Sequence, residues 1–470
     1  MSSIDEALEL AHRHAVDYLA NLGQRPVNAT ATLTDLRQRL DVPLTGAGVS
    51  ASRVIDDLIA ATEGGHLGSS GGRFFAWVSG GALPSALAAD WLVSTWDNNA
   101  AIYASGPASA VVEEVAGRWI LDLLGLPPSA SHAFTTGCQM AHVTCLAAAR
   151  HAVLASHDWN VENQGLFGAP RIRVLANEHH HGSVTRALRF LGIGAQSLEP
   201  VATDSGSRIV PLALATALQR SDAPTIVILD AADLNVGAFD EFREVIPIAK
   251  AARAWVHVDG AFGLWARASA HYRDRLRNVE QADSWATDAH KWLNTPKDIG
   301  IAIVADAKAH RAATAINASY LSSYTDARDE IDWTPEWTRR SRGFPVYAAL
   351  RELGRDGLGH LIDRCCAYAA RLTNELGALP GAELIAPATL NQGLVRFLDK
   401  RRDATEADHD ARTDAVIEAI NREGTAFFSG TRWKGQRVMR ISVVNARTTT
   451  EDIERTVTAV ASVLANEASP

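Results

Sequence analysis

Four short apolar runs separated by helical stretches constrain this chain more than any other feature. Arg171-Ile-Arg-Val-Leu-Ala176, Thr225-Ile-Val-Ile-Leu229, Trp255-Val-His-Val258 and Gly300-Ile-Ala-Ile-Val304 read as strands. Strands alternating with helices imply an α/β fold with a largely parallel central sheet, covered by helices on both faces. Upstream, Glu113 to Leu124 carries apolar residues at helical spacing and stops at Gly125, with Pro127 just beyond. With 470 residues, 47% of them hydrophobic, the chain can bury a large core and has length for two domains or more.

The flanks read differently. Residues 1 to about 60 alternate helical patterning with breaks such as Thr45-Gly46-Ala47-Gly48 and lack strands, as expected of an arm packed on something else. From Gly64 to Gly81 a glycine-rich stretch surrounds Arg73-Phe74-Phe75-Ala76-Trp77-Val78, either a loop lining a cleft or an ordinary packed connection. After about residue 310 comes a polar stretch to Arg342, then a helical segment through Leu372. A second αβ region follows, with strands expected at Leu394-Val-Arg-Phe-Leu398 and Val438-Met-Arg-Ile-Ser-Val-Val444. Thr449-Thr-Glu-Asp452 fits a capping box that opens a last amphipathic helix.

A formal charge of −9 argues against a general nucleic-acid binder, which needs a basic surface, and favours small-molecule partners. The four cysteines, Cys138, Cys145, Cys365 and Cys366, show neither zinc-knuckle nor redox spacing, so a reducing, cytoplasmic setting is expected. Met-Ser-Ser-Ile-Asp-Glu lacks the basic start and apolar core of an export signal. No apolar run approaches the ~20 residues that span a bilayer.

The run Trp255–Val258 ends in Asp259-Gly260-Ala261, and about thirty residues on lies Asp288-Ala-His-Lys-Trp-Leu-Asn294. Ligands of α/β sheets gather at the carboxyl ends of strands, where Asp259 would sit. A pyridoxal ring needs a lysine to form an imine and a carboxylate to keep its nitrogen protonated, and Lys291 and Asp259 supply that pair. Taken singly, the acid would read as a helix cap or surface group and the lysine as solvated. Asn177-Glu-His-His-His-Gly-Ser183 follows a strand, so one imidazole could stack on such a ring; a metal site, or solvent and core histidines, are the alternatives. Phe134-Thr-Thr-Gly-Cys-Gln-Met-Ala-His142 leads into an apolar helix, whose free N–H groups could receive a phosphate, although many helices begin this way without binding anything.

Together these segments resemble the group II pyridoxal-phosphate-dependent amino-acid decarboxylases, the family of aromatic-amino-acid and glutamate decarboxylases, within fold-type I. The resemblance runs from about Arg73 to the C-terminal helix and is most specific in Ala282-Asp-Ser-Trp-Ala-Thr-Asp-Ala-His-Lys-Trp-Leu-Asn294, preceded by His257-Val-Asp-Gly-Ala261. It implies an N-terminal arm over residues 1–75, a large cofactor domain over 76–315, the family's mobile catalytic loop and a connection over 316–342, and a small αβ domain over 343–470. Lys291 matches the Schiff-base lysine, Asp259 the partner of the pyridinium nitrogen, and His181 the stacking histidine. Gly137, Cys138 and Gln139 match the phosphate turn, Asn235 a polar position near the cofactor, and His290 the residue before the lysine. Tyr320 matches the tyrosine that protonates the carbanion once carbon dioxide has left.

The resemblance also implies a homodimer with shared active sites, into which the segment from Asn98 to Pro107 of a neighbour enters. Trp77, Val78, Ser79 and Gly80, with Asn99 and Ala101 of the partner, would then shape the side-chain pocket, and Arg440 lies where some members hold the substrate carboxylate. An aromatic or bulky apolar L-amino acid is the first expectation, because Phe74, Phe75, Trp77 and Val78 offer apolar surface. An acidic substrate held by Lys297 or the Arg339-Arg340-Ser341-Arg342 run is the second; a transaminase or carbon-carbon lyase shares the same constellation. Three departures stand out: Gly71-Gly72 where members often have His-Pro, Pro296-Lys297-Asp298 where many have Pro-Tyr-Asp, and Cys138-Gln139 in the phosphate turn. No metal is expected.

Overall fold

The computed structural model describes residues 3–316 and 327–466. The chain divides into two compact units, one of Met1–Ser79, Arg371–Ile385 and Leu394–Pro470, the other of Gly80–Ala370 and Ala386–Gly393.

The second unit is built on a seven-stranded sheet. In chain order its strands are β1 (Ser131–Thr135), β2 (Arg173–Asn177), β3 (Leu198–Val201), β4 (Thr225–Asp230), β5 (Trp255–Asp259), β6 (Ser284–Asp288) and β7 (Gly300–Val304), and they lie in the order β1-β7-β6-β5-β4-β2-β3. The pairs β2/β3, β2/β4, β4/β5 and β5/β6 are parallel, whereas β7 runs antiparallel to both β6 and β1. The largely parallel sheet expected from the four apolar runs is therefore present, with β7 as its reversed member. Every residue of β1, β2, β4, β5, β6 and β7 is buried, as a sheet covered on both faces requires. The helix Gly137–Ala155 packs along it with thirteen buried residues, mostly alanine and other small side chains that allow close approach.

Two reversals in a row make β1 parallel to β6. The carboxyl ends of β1, β2, β4, β5 and β6 thus share one edge of the sheet, and that edge collects Gly137, His181, Asp230, Asp259 and Lys291 from segments far apart in sequence.

In the first unit three helices, Ser3–Asn21, Leu33–Leu40 and Ala51–Thr62, contain no fully buried residue. The four-stranded sheet is ordered β10-β11-β9-β8, with β8 at Ala382–Ala386, β9 at Gln392–Phe397, β10 at Ser429–Trp433 and β11 at Gln436–Ser442. The final helix, Thr450–Asn466, opens on the expected capping box: Thr449 Oγ1 accepts the Asp452 N–H at 3.2 Å, and Asp452 accepts the Thr449 N–H at 3.1 Å. Among the described residues no helix is long and apolar enough to cross a membrane.

Candidate active site

Asp259 and Asp230 end neighbouring strands in direct register, both are buried, and their ionisation is pushed in opposite directions. Burial, with the charges of Asp240 and Asp259, pushes Asp230 well above the usual carboxylate range. Burial acts on Asp259 too, but the neighbouring His142 outweighs it, aided by His181 and the Ala261 N–H, and Asp259 is held below that range. His142 Nε2 lies 3.4 Å from Asp259 Oδ2, and the Ala261 N–H donates to Oδ1 at 3.1 Å. The direction favours the carboxylate form of Asp259 at this strand end, the form needed to hold a protonated ring nitrogen.

Lys291 follows β6 in the turn Ala289–Asn294. Its Nζ lies 3.4 Å from Asp288 Oδ2 and 5.7 Å from the ring centre of Phe262. Asp288 Oδ1 accepts the Cys138 N–H at 2.6 Å, which ties the lysine turn to the start of the helix Gly137–Ala155. That helix start has no side-chain cap from Thr136, and Gly137 has φ +76°. Gly300, opposite Thr135 and Asp288, passes so close that a Cβ there would collide with the Gly137 carbonyl carbon. Gly80 is equally confined, because a Cβ on it would collide with the Lys291 carbonyl oxygen.

The other expected residues are placed as follows. His181 caps the helix Gly182–Phe190, its Nδ1 accepting the Ser183 N–H at 3.2 Å, and it lies near enough to bear on Asp259. His180 instead binds the Asn177 carbonyl and Thr185 Oγ1, so the consecutive rings of His180 and His181 use different partners. His290 packs its ring 3.8 Å from a Cβ position at Gly137, and burial lowers its pKa. Gln139 donates its amide to the Ser183 carbonyl at 3.2 Å. Cys138 Sγ lies 3.6 Å from His142 Nε2, and burial, with the charges of Asp288 and Asp259, pushes its thiol well above the usual range. Cys138, His142 and Asp259 bring donor atoms within 4.8 Å of one another. Asn235 is buried in the loop after β4, its N–H donating to Asp233 Oδ1 at 2.9 Å.

Asn99 Oδ1 accepts the N–H groups of Ala101 and Arg339, both at 3.1 Å, and Ala101 is buried. In the first unit Trp77 and Val78 hold positive φ of 55° and 54°; Trp77 is half exposed against Phe74 and Phe427, and Val78 is buried. Arg440 is buried in β11 opposite Ser429. Tyr320 lies outside the described residues. Sequence reasoning gave no role to His142, His257 or Asp288. The spacing of Cys138 and His142, four residues apart on one helix, was the available signal for the first.

The pyridoxal-dependent decarboxylase conserved domain matches residues 39–400. This chain belongs to that family. It is a pyridoxal-phosphate-dependent amino-acid decarboxylase of fold-type I. The enzyme is 26% identical over 446 residues to an aromatic-L-amino-acid decarboxylase of Bacillus atrophaeus, covering 93% of this chain and 90% of the relative. It is 28% identical over 387 residues to an L-2,4-diaminobutyrate decarboxylase of Rhizobium meliloti, covering 81% and 75%. Its fold matches the crystal structure of Oryza sativa TDC with PLP and tryptamine at a TM-score of 0.91 and 22% identity, covering 99% and 98% of the two chains.

The residues at the sheet edge fit the cofactor. A buried, ionised carboxylate, a lysine on a turn fixed by Asp288, and a helix start without a side-chain cap offer partners for its ring nitrogen, its carbonyl and its phosphate.

Proposed function

We propose that the enzyme decarboxylates an L-amino acid with an aromatic or bulky apolar side chain, and that it does so with Lys291, Asp259, His181 and Tyr320. Bound at this edge, pyridoxal phosphate supplies the electron sink that lets the bond between Cα and the carboxylate break. Lys291 is the residue that would hold the cofactor, through its primary amine. Asp259 accepts the hydrogen of the ring nitrogen. His181 would cover one face of the ring and keep water from it. Gly137, Cys138 and Gln139 begin the helix whose N–H groups would take the phosphate, and Asn235 and His290 would complete the cofactor's surroundings. Tyr320 delivers the proton to Cα, a role carried by the family resemblance alone.

The substrate preference is supported chiefly by the fate of the arginines. Arg339 is buried against Glu113 at 2.9 Å, Arg340 pairs with Asp90 at 2.7 Å, and Arg342 pairs with Glu336 at 2.9 Å. A run already neutralised by the protein's own carboxylates is a poor receptor for an acidic side chain. Burial lowers the pKa of Lys297 as well. The aromatic-L-amino-acid decarboxylase of Bacillus atrophaeus agrees with this preference. We propose further that the enzyme is a cytoplasmic homodimer whose sites draw Asn99 from the neighbour; Ala101, expected beside it, is buried within its own chain. Three N-terminal helices that bury none of their residues support a second copy as their packing partner.

The test is a panel of L-amino acids incubated with enzyme and cofactor, read by mass spectrometry for amine, aldehyde and keto acid. Amine from tryptophan, phenylalanine or their hydroxylated forms is expected. Amine from glutamate or aspartate alone would overturn the preference, and keto acid as the main product would overturn decarboxylation as the enzyme's reaction.

A further inference from the structure

Behind Asp259 a line of buried polar side chains runs beneath the sheet edge, and the reaction as described does not use it. His142 Nε2 is 3.4 Å from Asp259 Oδ2, and His142 Nδ1 is 2.9 Å from His257 Nε2. His257 Nδ1 is 2.9 Å from Ser284 Oγ, which accepts the indole N–H of Trp255 at 2.9 Å. His142, His257 and Ser284 have no exposed surface, and Trp255 is 7% exposed. The two imidazoles meet edge to face, with ring centres 5.2 Å apart and planes at 77°.

The direction of donation follows from the ends. An indole nitrogen only donates, so Ser284 accepts there and its own hydroxyl hydrogen is available to His257 Nδ1. His257 then carries its hydrogen on Nε2 and donates to His142 Nδ1. His142 is left with its hydrogen on Nε2, facing Asp259. The reverse order, with one hydrogen on each ring, would set an imidazole lone pair against a carboxylate. Burial lowers the pKa of His257 to about 3, consistent with a single hydrogen on that ring. Cys138 Sγ, 3.6 Å from His142 Nε2, is a much weaker acceptor than the carboxylate beside it.

We infer that Trp255, Ser284, His257 and His142 form a one-way donor relay that fixes the His142 tautomer and holds Asp259 as the ionised partner of the cofactor's ring nitrogen. His142 and His257 are positioning residues, acting through Asp259. The inference rests on the assignment of Asp259 made above. The relay fills the Oδ2 side and the Ala261 N–H binds Oδ1, so the carboxylate is oriented from behind.

The experiment reconstitutes holoenzyme with pyridoxal phosphate labelled with 15N in the ring. The ring-nitrogen chemical shift and the cofactor Kd are measured for the wild type, Asp259→Asn, His257→Phe, His257→Gln and Ser284→Ala. The wild type is expected to show a protonated ring nitrogen and Asp259→Asn to lose it. His257→Phe should move the shift toward neutral pyridine and weaken the Kd about tenfold, the equivalent of one pKa unit. His257→Gln, whose amide still donates to His142, should keep the wild-type shift, and Ser284→Ala should move it in the same direction as His257→Phe but by less. Wild-type shifts and Kd in both His257→Phe and Ser284→Ala, beside a changed Asp259→Asn, would overturn the relay and leave Asp259 in place. A protonated nitrogen in Asp259→Asn would overturn the assignment of Asp259 and the relay with it. If His257→Phe does not fold, Ser284→Ala decides alone.

Discussion

The Nζ of Lys291 lies 3.4 Å from Asp288 Oδ2, and the other oxygen of the same carboxylate takes the Cys138 N–H at 2.6 Å. One buried acid therefore locks the lysine turn to the start of the helix Gly137–Ala155. Asp288→Asn keeps the size and removes the charge. Loss of a charge-assisted hydrogen bond should lower the unfolding free energy of the cofactor-free protein by about 1–3 kcal/mol, measured by urea denaturation. An unchanged midpoint would show that the lock contributes nothing.

Arg339 and Glu113 form an ion pair with side chains only 1% and 0% exposed, and Arg339 also donates to the Phe134 carbonyl in β1 at 2.8 Å. Burial pushes Glu113 up to about 7 although Arg339 pulls the other way. Arg339→Met leaves that carboxyl buried without its cation and should cost about 3–5 kcal/mol, while Arg339→Met combined with Glu113→Leu should recover most of the loss. Equal losses in the single and double variants, measured by chemical denaturation, would count against a coupled pair.

His310 takes the Ser131 hydroxyl on Nδ1 at 2.8 Å and gives its Nε2 hydrogen to the Trp333 carbonyl at 2.8 Å. Burial, helped by the Arg328 charge, lowers its pKa from 6.5 to about 3. A depressed folded pKa means that the unfolded chain binds the proton first. Its stabilising effect is complete above pH 6.5 and is lost as pH falls toward 3. Relative to His310→Gln, the wild type should lose stability at about 1.4 kcal/mol per pH unit across that window. Urea midpoints at pH 7, 6, 5 and 4 measure the difference, and parallel curves would contradict it.

Gly300→Ala places a methyl group against the Gly137 carbonyl carbon. Separating the strand from the helix start should cost about 1–3 kcal/mol and weaken cofactor binding, measured by thermal denaturation and by cofactor titration. A variant with wild-type cofactor affinity would show that the helix start is not where the phosphate is held.

The strands β2, β4, β5, β7, β9 and β11 were legible within two residues at either end because they are runs of valine, isoleucine and leucine. Three strands of the large sheet were not. β1 is Ser-His-Ala-Phe-Thr and β6 is Ser-Trp-Ala-Thr-Asp, and two of their buried polar residues are met by distant partners: Ser131 by His310, and Ser284 by Trp255 and His257. The edge strand β3, Leu-Glu-Pro-Val, carries a proline that composition reads as a break. At the site the same division holds. Asp259 and Lys291 could be read from a local motif, whereas the partner of His142 lies 115 residues away and depends on the fold itself.

The central claim is that Lys291 carries the cofactor, and borohydride reduction of the holoenzyme followed by peptide mass mapping tests it most directly. The reduced pyridoxyl group should be found on Lys291, and Lys291→Ala should take up no covalent label and form no amine. Label on Lys297 or another lysine, or undiminished amine from Lys291→Ala, would contradict the account.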